Sequence, residues 1–260
     1  MSELNVATIQ TELHWENIDA NLNLFTTKIA QINAPVDVIV LPEMFTTGFS
    51  MNTALAETPD GKTMQWMQQQ AAQFNTAICG SLMMRDKHND VYNRFIWMNP
   101  EGTYYAYNKR HLFSIGNEHL HYKSGNQKLI INYKGFNIQL LVCYDLRFPV
   151  WIRRTPKHNY DAIFIVANWP ERRAEHWKTL LKARAIENQC YVVAVNRVGF
   201  DGNNVNHSGD TSVIEPTGNV IYTQTHQPET ALTTLNLQQV QTYRTDFAAQ
   251  NDADSFTINL

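Results

Sequence analysis

Short apolar runs alternate along the whole chain with segments whose apolar side chains recur at helical spacing. The runs predict strands over residues 4–10, 36–41, 76–84, 162–167 and 190–195. The helical spacing predicts helices over residues 17–32, 64–73 and 173–188. Apolar runs that flank turn residues predict three hairpins, over residues 95–107, 129–142 and 212–223.

This alternation indicates the fold class. Continuous apolar strands interleaved with helices predict an α/β protein whose sheet is covered on at least one face. The hairpins predict that the sheet is mixed rather than purely parallel. No repeat, low-complexity tract or linker-like boundary divides the 260 residues, so we expect one domain over residues 1–260.

Composition excludes several classes of function. Hydrophobic residues make up 43% and charged residues 17%, which favours a packed core over disorder. A formal net charge of -3 gives no electrostatic signature for binding nucleic acid or anionic lipid. The N-terminal segment has neither the basic nor the apolar region of a signal peptide. No apolar run approaches the ~18–20 residues of a membrane span, so we expect neither nucleic acid nor membrane as a partner.

The three cysteines are Cys79, Cys143 and Cys190. Their odd number and wide spacing argue against a disulfide framework and fit a reducing cytoplasm. No CxxC, HExxH or clustered Cys/His pattern is present, so we expect no metal and no cofactor. Cys79 and Cys190 lie inside strand patterns and are predicted to be core residues.

Polar residues of the kind that catalysis uses follow three apolar strands. Glu43 follows the run 36–41, Lys109 follows a hairpin strand, and Cys143 follows the run 136–142. Strand ends often carry function in α/β folds because the adjoining loops face a crevice. Each residue also has an ordinary interpretation: a solvated or capping glutamate, a solvated lysine, or a small core cysteine.

Taken together, the three residues form a workable set for acyl transfer. A free cysteine titrates near ~8.5, so a nucleophilic thiol needs a base. A carboxylate in a closed site can accept that proton. A lysine beside it can stabilise the oxyanion of a tetrahedral intermediate.

The segments around these residues resemble the motifs of the nitrilase superfamily, the carbon–nitrogen hydrolases. LPEMF contains Glu43, YNKRHLF contains Lys109 and CYDLRFP contains Cys143, in the Glu–Lys–Cys order of that family. The likeness continues through residues 168–199 and 207–221, and so covers nearly the whole chain. The resemblance implies a four-layer αββα sandwich with mixed sheets, usually paired as a homodimer.

The resemblance also implies the role of each residue. Glu43 is the general base, and Cys143 attacks the amide carbon to give a thioester and release ammonia. Lys109 and the backbone N–H of Tyr144 hold the oxyanion. Glu118 matches the second glutamate of the family's pocket and positions Lys109 or the amide nitrogen; the alternative is a solvated loop acid.

The motif wording is most similar to the omega-amidase branch, which resembles 2-oxoglutaramate amidase. Such enzymes deamidate the monoamides of small dicarboxylates: 2-oxoglutaramate, 2-oxosuccinamate and succinamate. A substrate of this kind has an anionic far end, which requires a cation or several hydrogen-bond donors.

Four residues are candidates for that contact: Arg147, Arg172, Arg173 and His176. Arg147 has the alternative of pairing with Asp145 or Glu187. Arg172 and Arg173 have the alternative of a solvated helix N-terminus, although two cations there oppose the helix dipole.

Asn168, Trp169, Phe45 and Tyr144 are predicted to line the substrate pocket. Residues 114–123 are predicted to form a loop that can act as a lid and exclude water. The histidines beside it, His111, His119 and His121, fit no known metal-ligand spacing.

Two other functions stay open at this point. The first is another carbon–nitrogen hydrolase: an N-carbamoyl amine hydrolase, an aliphatic amidase or a nitrilase. The second is a catalytically silent binding protein with the same fold. The presence of Glu43, Lys109 and Cys143 argues against a silent protein, which has no chemical need for all three.

Overall fold

A computed structural model describes residues 2–258 of the chain. Within these residues it contains thirteen strands and six α-helices. The strands are β1 (Glu3–Gln10), β2 (Val38–Val40), β3 (Ala77–Arg85), β4 (Val91–Met98), β5 (Tyr104–Asn108), β6 (Ile130–Tyr133), β7 (Phe136–Val142), β8 (Ala162–Ala167), β9 (Tyr191–Asn196), β10 (Val198–Phe200), β11 (Asn206–Ile214), β12 (Val220–Thr225) and β13 (Glu229–Asn236). The helices are α1 (Ile18–Ala30), α2 (Lys62–Phe74), α3 (Glu118–His121), α4 (Pro149–Ile152), α5 (Ala174–Asn188) and α6 (Leu237–Asp246).

Two mixed sheets form the centre of the molecule. The first has the strand order β13-β1-β2-β3-β4-β5, with β1, β2 and β3 parallel and the outer pairs antiparallel. The second has the order β10-β11-β9-β8-β7-β6, with β12 paired to β11 and with β7, β8 and β9 parallel. The prediction of mixed pairing is therefore confirmed, and it applies to two sheets.

Helices cover the outer face of each sheet. Phe25 of α1 and Met67 of α2 pack with Ile39 and Ile78 on the outer face of the first sheet. Trp177 of α5 belongs to the large core cluster that includes the second sheet. Trp97 and Phe164, from the two facing sheets, lie 5.6 Å apart between ring centres. The order helix–sheet–sheet–helix is the four-layer αββα sandwich that the resemblance implied.

The predicted elements lie within a few residues of the observed ones, but five strands and helices were missed. These are β10, β13, α3, α4 and α6. β13 (ETALTTLN) buries only Ala231 and Leu235, and α6 buries only Val240, so neither has a strong apolar pattern. Residues 114–123 are also not a plain loop, because they contain a 3-10 helix, Ser114–Gly116, and the helix α3. Within the described residues, every helix is too short or too polar to cross a membrane.

Candidate active site

Glu43 lies just beyond the carboxyl end of β2 and is completely buried. Its Oε1 accepts hydrogen bonds from Lys109 Nζ at 2.9 Å and from Asn93 Nδ2 at 2.7 Å. Its Oε2 accepts from the backbone N–H of Asn168 at 2.7 Å. Both carboxylate oxygens are therefore held by fixed donors, one of which comes from the second sheet.

Lys109 follows β5 and is also completely buried. Its ammonium group lies between two carboxylates, 2.9 Å from Glu43 Oε1 and 3.0 Å from Glu118 Oε1. Glu118 Oε2 accepts from the backbone N–H of Phe113 at 2.6 Å. Because Glu118 is buried and paired, the structure excludes the alternative of a solvated loop acid.

The pKa values of this cluster depend on one another. Burial on its own lowers the pKa of Lys109, but the charges of Glu118 and Glu43 outweigh it and raise the pKa above its usual value. Burial raises the pKa of Glu118, Lys109 opposes that change, and the charge of Glu43 adds to it. Lys109 is therefore a permanent cation between two buried carboxyl groups.

Cys143 stands at a sharp turn between β7 and a 3-10 helix, Cys143–Arg147. Its φ of +44° is in the left-handed region, which costs a residue with a Cβ roughly 1–2 kcal/mol. Burial, followed by the charge of Glu43, raises the pKa of the thiol well above its usual value, while Lys109 opposes the shift. At neutral pH the thiol is therefore uncharged, and the carboxyl group of Glu43 lies beside it.

Asp145 holds this turn in place, and the sequence reasoning missed it. Its carboxylate accepts from the backbone N–H of Val142 at 3.1 Å and from the hydroxyl of Tyr107 at 2.8 Å. It also accepts from the backbone N–H of His111 at 2.9 Å. Since Tyr107 and His111 flank Lys109, Asp145 connects the turn at Cys143 to the segment that carries Lys109.

A cavity of about 210 Å³ opens onto Glu43, Lys109 and Cys143. The predicted pocket residues Asn168, Trp169 and Tyr144 line it. The N–H of Tyr144 is in the first turn of its 3-10 helix, where backbone amides have no acceptor within the helix. Apart from three arginines, the remaining lining residues come from four stretches of the chain: Phe49, Met51, Phe113, Ile115, Gly116, Pro170, Asp201, Asn203, Val205 and His207.

Arg147, Arg172 and Arg173 line the same cavity. The guanidinium of Arg147 lies 4.5 Å from the ring centre of Trp169, and its Nη2 donates to Nδ1 of His176 at 3.2 Å. Burial, followed by the charges of Arg172 and Arg147, lowers the pKa of Arg173. Within residues 2–258 none of the three arginines forms an ion pair with a carboxylate.

Two of the predicted pocket residues lie elsewhere. Phe45 is completely buried in the core of the first sheet, where its ring contacts Phe25 at 5.4 Å and Trp66 at 5.9 Å. Its side chain therefore faces α1 and α2 rather than the cavity. His176 is exposed on α5 and contacts Arg147, but it is not among the residues that line the cavity.

Arg147 forms neither of the two ion pairs that were considered as its alternative role. Arg147 pairs with neither Asp145 nor Glu187; Glu187 bonds instead to Arg184 at 3.0 Å. Among residues 2–258, no group of three or more histidine, cysteine or acidic side chains is arranged to hold a metal ion. Cys79 and Cys190 are completely buried in the core, as predicted.

Asn93 and the 201–207 segment were also missed by sequence reasoning. Asn93 lies inside a strand and carries no motif signal, whereas the segment after β10 has no apolar pattern. The signal that could have found Asn93 is its position, since a buried strand residue with an amide side chain requires polar partners.

Relatives of the chain include two bacterial amidases. The omega-amidase YafV of Escherichia coli strain K12 is 44% identical over 259 residues, which span 99% of this chain and 100% of that protein. The 2-oxoglutaramate amidase of Bacillus subtilis strain 168 is 36% identical over 220 residues, which span 83% and 84% of the two chains.

The fold has a similar counterpart among solved structures. A CN-hydrolase superfamily protein from Xanthomonas campestris, which holds an arsenic adduct in its active site, has a TM-score of 0.96 at 40% identity. That alignment covers 100% of both chains.

Residues 5–245 match the family described as carbon-nitrogen hydrolase. This match extends over most of the chain and includes Glu43, Lys109 and Cys143, and the chain therefore belongs to the carbon–nitrogen hydrolase family.

Proposed function

We propose that this carbon–nitrogen hydrolase is an omega-amidase. Its substrates are monoamides of small dicarboxylates, such as 2-oxoglutaramate, 2-oxosuccinamate and succinamate. One observation carries the proposal: a thiol, a carboxylate and an ammonium group meet in a cavity that also presents three arginines, none of which forms an ion pair with a carboxylate of residues 2–258. The relatives named as omega-amidase and 2-oxoglutaramate amidase support this choice of substrate.

The first half of the reaction uses Glu43 as the base. Glu43 accepts the thiol proton while Cys143 Sγ attacks the amide carbon, and Lys109 with the N–H of Tyr144 stabilises the oxyanion. Glu43 then gives the proton to the departing nitrogen. The carbon–nitrogen bond breaks, ammonia leaves, and a thioester on Cys143 remains.

The second half consumes water. Glu43 takes a proton from a water molecule while the oxygen of that water molecule attacks the thioester carbon. The carbon–sulfur bond breaks, the dicarboxylate leaves, and the proton returns from Glu43 to the sulfur of Cys143. Glu118 stays paired with Lys109 throughout, and the ammonium group therefore remains at the position that the oxyanion requires.

Arg147 is the residue we assign to the distal carboxylate. Stacking on Trp169 and the bond to His176 fix its guanidinium, whereas Arg172 is exposed at the rim. A guanidinium that is already ordered loses less side-chain entropy on binding an anion. The mutual repulsion of the three arginines also favours a bound negative charge.

Three further properties belong to the same proposal. The chain acts as one domain over residues 1–260, works in the cytoplasm and pairs as a homodimer. The packing of both sheets into one core supports the first property. The family resemblance supports the dimer, and the sparse free cysteines support a reducing compartment.

The test is ammonia release by the purified protein from succinamate and 2-oxoglutaramate. Cys143→Ala is expected to lower the rate by at least about 1,000-fold, because no other group supplies the nucleophile. Cys190→Ala makes the same change in the core, away from the cavity, and is expected to retain activity. Circular dichroism checks that both variants are folded.

The outcome also separates the alternatives. A panel of N-carbamoyl amines, aliphatic amides and nitriles is assayed beside the two omega-amides. Turnover of one of those classes without turnover of omega-amides overturns the substrate proposal but leaves Cys143 as the nucleophile. An inactive wild-type protein across the whole panel favours a silent binding protein.

A further inference from the structure

Asn93 joins the two buried carboxylates of the active site. It lies in β4 and is completely buried. Its Nδ2 donates to Glu43 Oε1 at 2.7 Å and to Glu118 Oε1 at 3.2 Å. Lys109 Nζ donates to the same two oxygens at 2.9 and 3.0 Å. The result is a closed ring of two carboxylates bridged on one side by an ammonium group and on the other by an amide.

Ser81 fixes the orientation of that amide. Its hydroxyl donates to Asn93 Oδ1 at 2.8 Å and accepts from the backbone N–H of Met44 at 2.9 Å. Because Oδ1 is occupied as an acceptor, the amide must present Nδ2 to the carboxylates. Met44 adjoins Glu43 and has a φ of +43°, so Ser81 also fixes the backbone that carries the base.

The Asn93 bridge stabilises the excess negative charge of the two carboxylates. Two carboxylates share one lysine, and the ionised pair carries one negative charge more than its buried surroundings neutralise. Donation of two N–H groups to the ionised oxygens stabilises that charge without adding a second cation. An added cation would instead lower the basicity that Glu43 needs to accept the thiol proton.

We propose that Asn93, oriented by Ser81, is a positioning residue that holds Glu43 and Glu118 ionised and aligned in the resting enzyme. The inference rests on the proposed base role of Glu43. Asn93 does not line the cavity, so it acts on the substrate only through the two carboxylates. The inference depends on the hydrogen bonds of Asn93 with Glu43, Glu118 and Ser81, and not on which amide is the substrate.

The sign of the expected pH effect follows from the hydrogen bonds. The charged or titratable groups that face the pair are Lys109, Cys143 and Tyr122. Removal of the Asn93 amide leaves these groups in place but takes away donors to the ionised carboxylates. Protonation of the pair then becomes easier, and the acid limb of kcat/KM moves to higher pH.

Asn93→Ala is therefore expected to shift the acid limb upward by about one pH unit and to lower kcat at least about 10-fold at neutral pH. KM is expected to stay within about threefold of the wild-type value. Ser81→Ala, which keeps the amide but frees its orientation, is expected to shift the limb in the same direction by a smaller amount. If Asn93→Ala does not fold, the shift of the acid limb in Ser81→Ala tests the inference instead.

The control is Asn132→Ala, which removes an exposed side-chain amide in β6 that donates to Asn137 Oδ1, away from the cavity. It is expected to leave the whole pH profile unchanged. A second readout is the pH dependence of Cys143 alkylation by iodoacetamide, whose acid midpoint is expected to rise in Asn93→Ala and Ser81→Ala.

An unchanged acid limb in both variants, whatever the loss of kcat, means that the role of Asn93 is structural and overturns the inference. Failure of the proposed function has a different signature, since the wild-type protein then releases no ammonia from omega-amides. The alkylation profile needs no substrate and still reports on Asn93 in that case.

Discussion

At the scale of single residues, the proposed substrate depends on Arg147, which we assign to the distal carboxylate. Arg147→Met is expected to raise KM for succinamate about 10- to 100-fold, because a hydrogen-bonded charge pair with the distal carboxylate is lost. The value of kcat/KM for butyramide, which has no distal carboxylate, is expected to stay unchanged. Steady-state kinetics with the two amides measures the difference.

Arg172→Met is the matched comparison, since it removes an exposed guanidinium from the same cavity rim. Water screens that charge, so its effect on KM for succinamate is expected to be much smaller. An equal loss with succinamate and butyramide in Arg147→Met contradicts a role in binding the carboxylate. A larger effect from Arg172→Met moves the assignment to that residue.

Single residues also mark the limit of sequence reasoning. The positions of Glu43, Lys109 and Cys143 after strands, together with the family motifs, were enough to select them. Asn93 was missed because an asparagine in a strand has no local signal, and its partners are 50 and 25 positions away. Phe45 was misplaced because Glu43 and Phe45 follow the same strand but face different sides, the cavity and the helices α1 and α2. The local sequence does not indicate this turn geometry.

At the scale of elements, Asp145 joins the turn at Cys143 to β5 and the segment that carries Lys109. Asp145→Asn is expected to lower the free energy of unfolding by about 2–4 kcal/mol, because a buried acceptor for several donors becomes partly a donor itself. Chemical denaturation followed by circular dichroism measures this change.

Asp19→Asn is the control for that variant. Asp19 pairs with Lys62 on the surface, where both side chains are more than half exposed, at 68% and 63%. The same substitution there is expected to change the free energy of unfolding by less than about 1 kcal/mol. If both variants lose the same stability, Asp145 does not clamp the two elements.

Elements with a strong apolar pattern were predicted well, and those without one were not. β8 was predicted with its observed bounds because all six of its residues are apolar and buried. β13 lies at the edge of its sheet and alternates irregularly between exposed and buried residues. Its register is set by eight paired positions with β1, a tertiary contact that local patterns do not encode.

The two sheets share one inner core at the scale of the whole molecule. Val6, Val40 and Trp97 of the first sheet belong to the same buried cluster as Leu140 and Val193 of the second. We therefore expect a single calorimetric unfolding transition, with a calorimetric enthalpy close to the van't Hoff enthalpy. Two separate transitions contradict the proposal of a single domain.

The four layers themselves were not derivable from the strand and helix patterns. A strand such as β8, buried on both faces, has the same apolar sequence whether helices or a second sheet cover it. Only the family resemblance carried the information that one face meets another sheet.

The origin of the active-site groups has a consequence for protein synthesis. Glu43 and Lys109 come from the first sheet, whereas Cys143 and the amide of Asn168 come from the second. The second sheet needs β9 and β11, and β11 ends at Ile214, about four fifths of the way along the chain. We therefore expect Cys143 to join Glu43 and Lys109 only late in synthesis, once both sheets have formed.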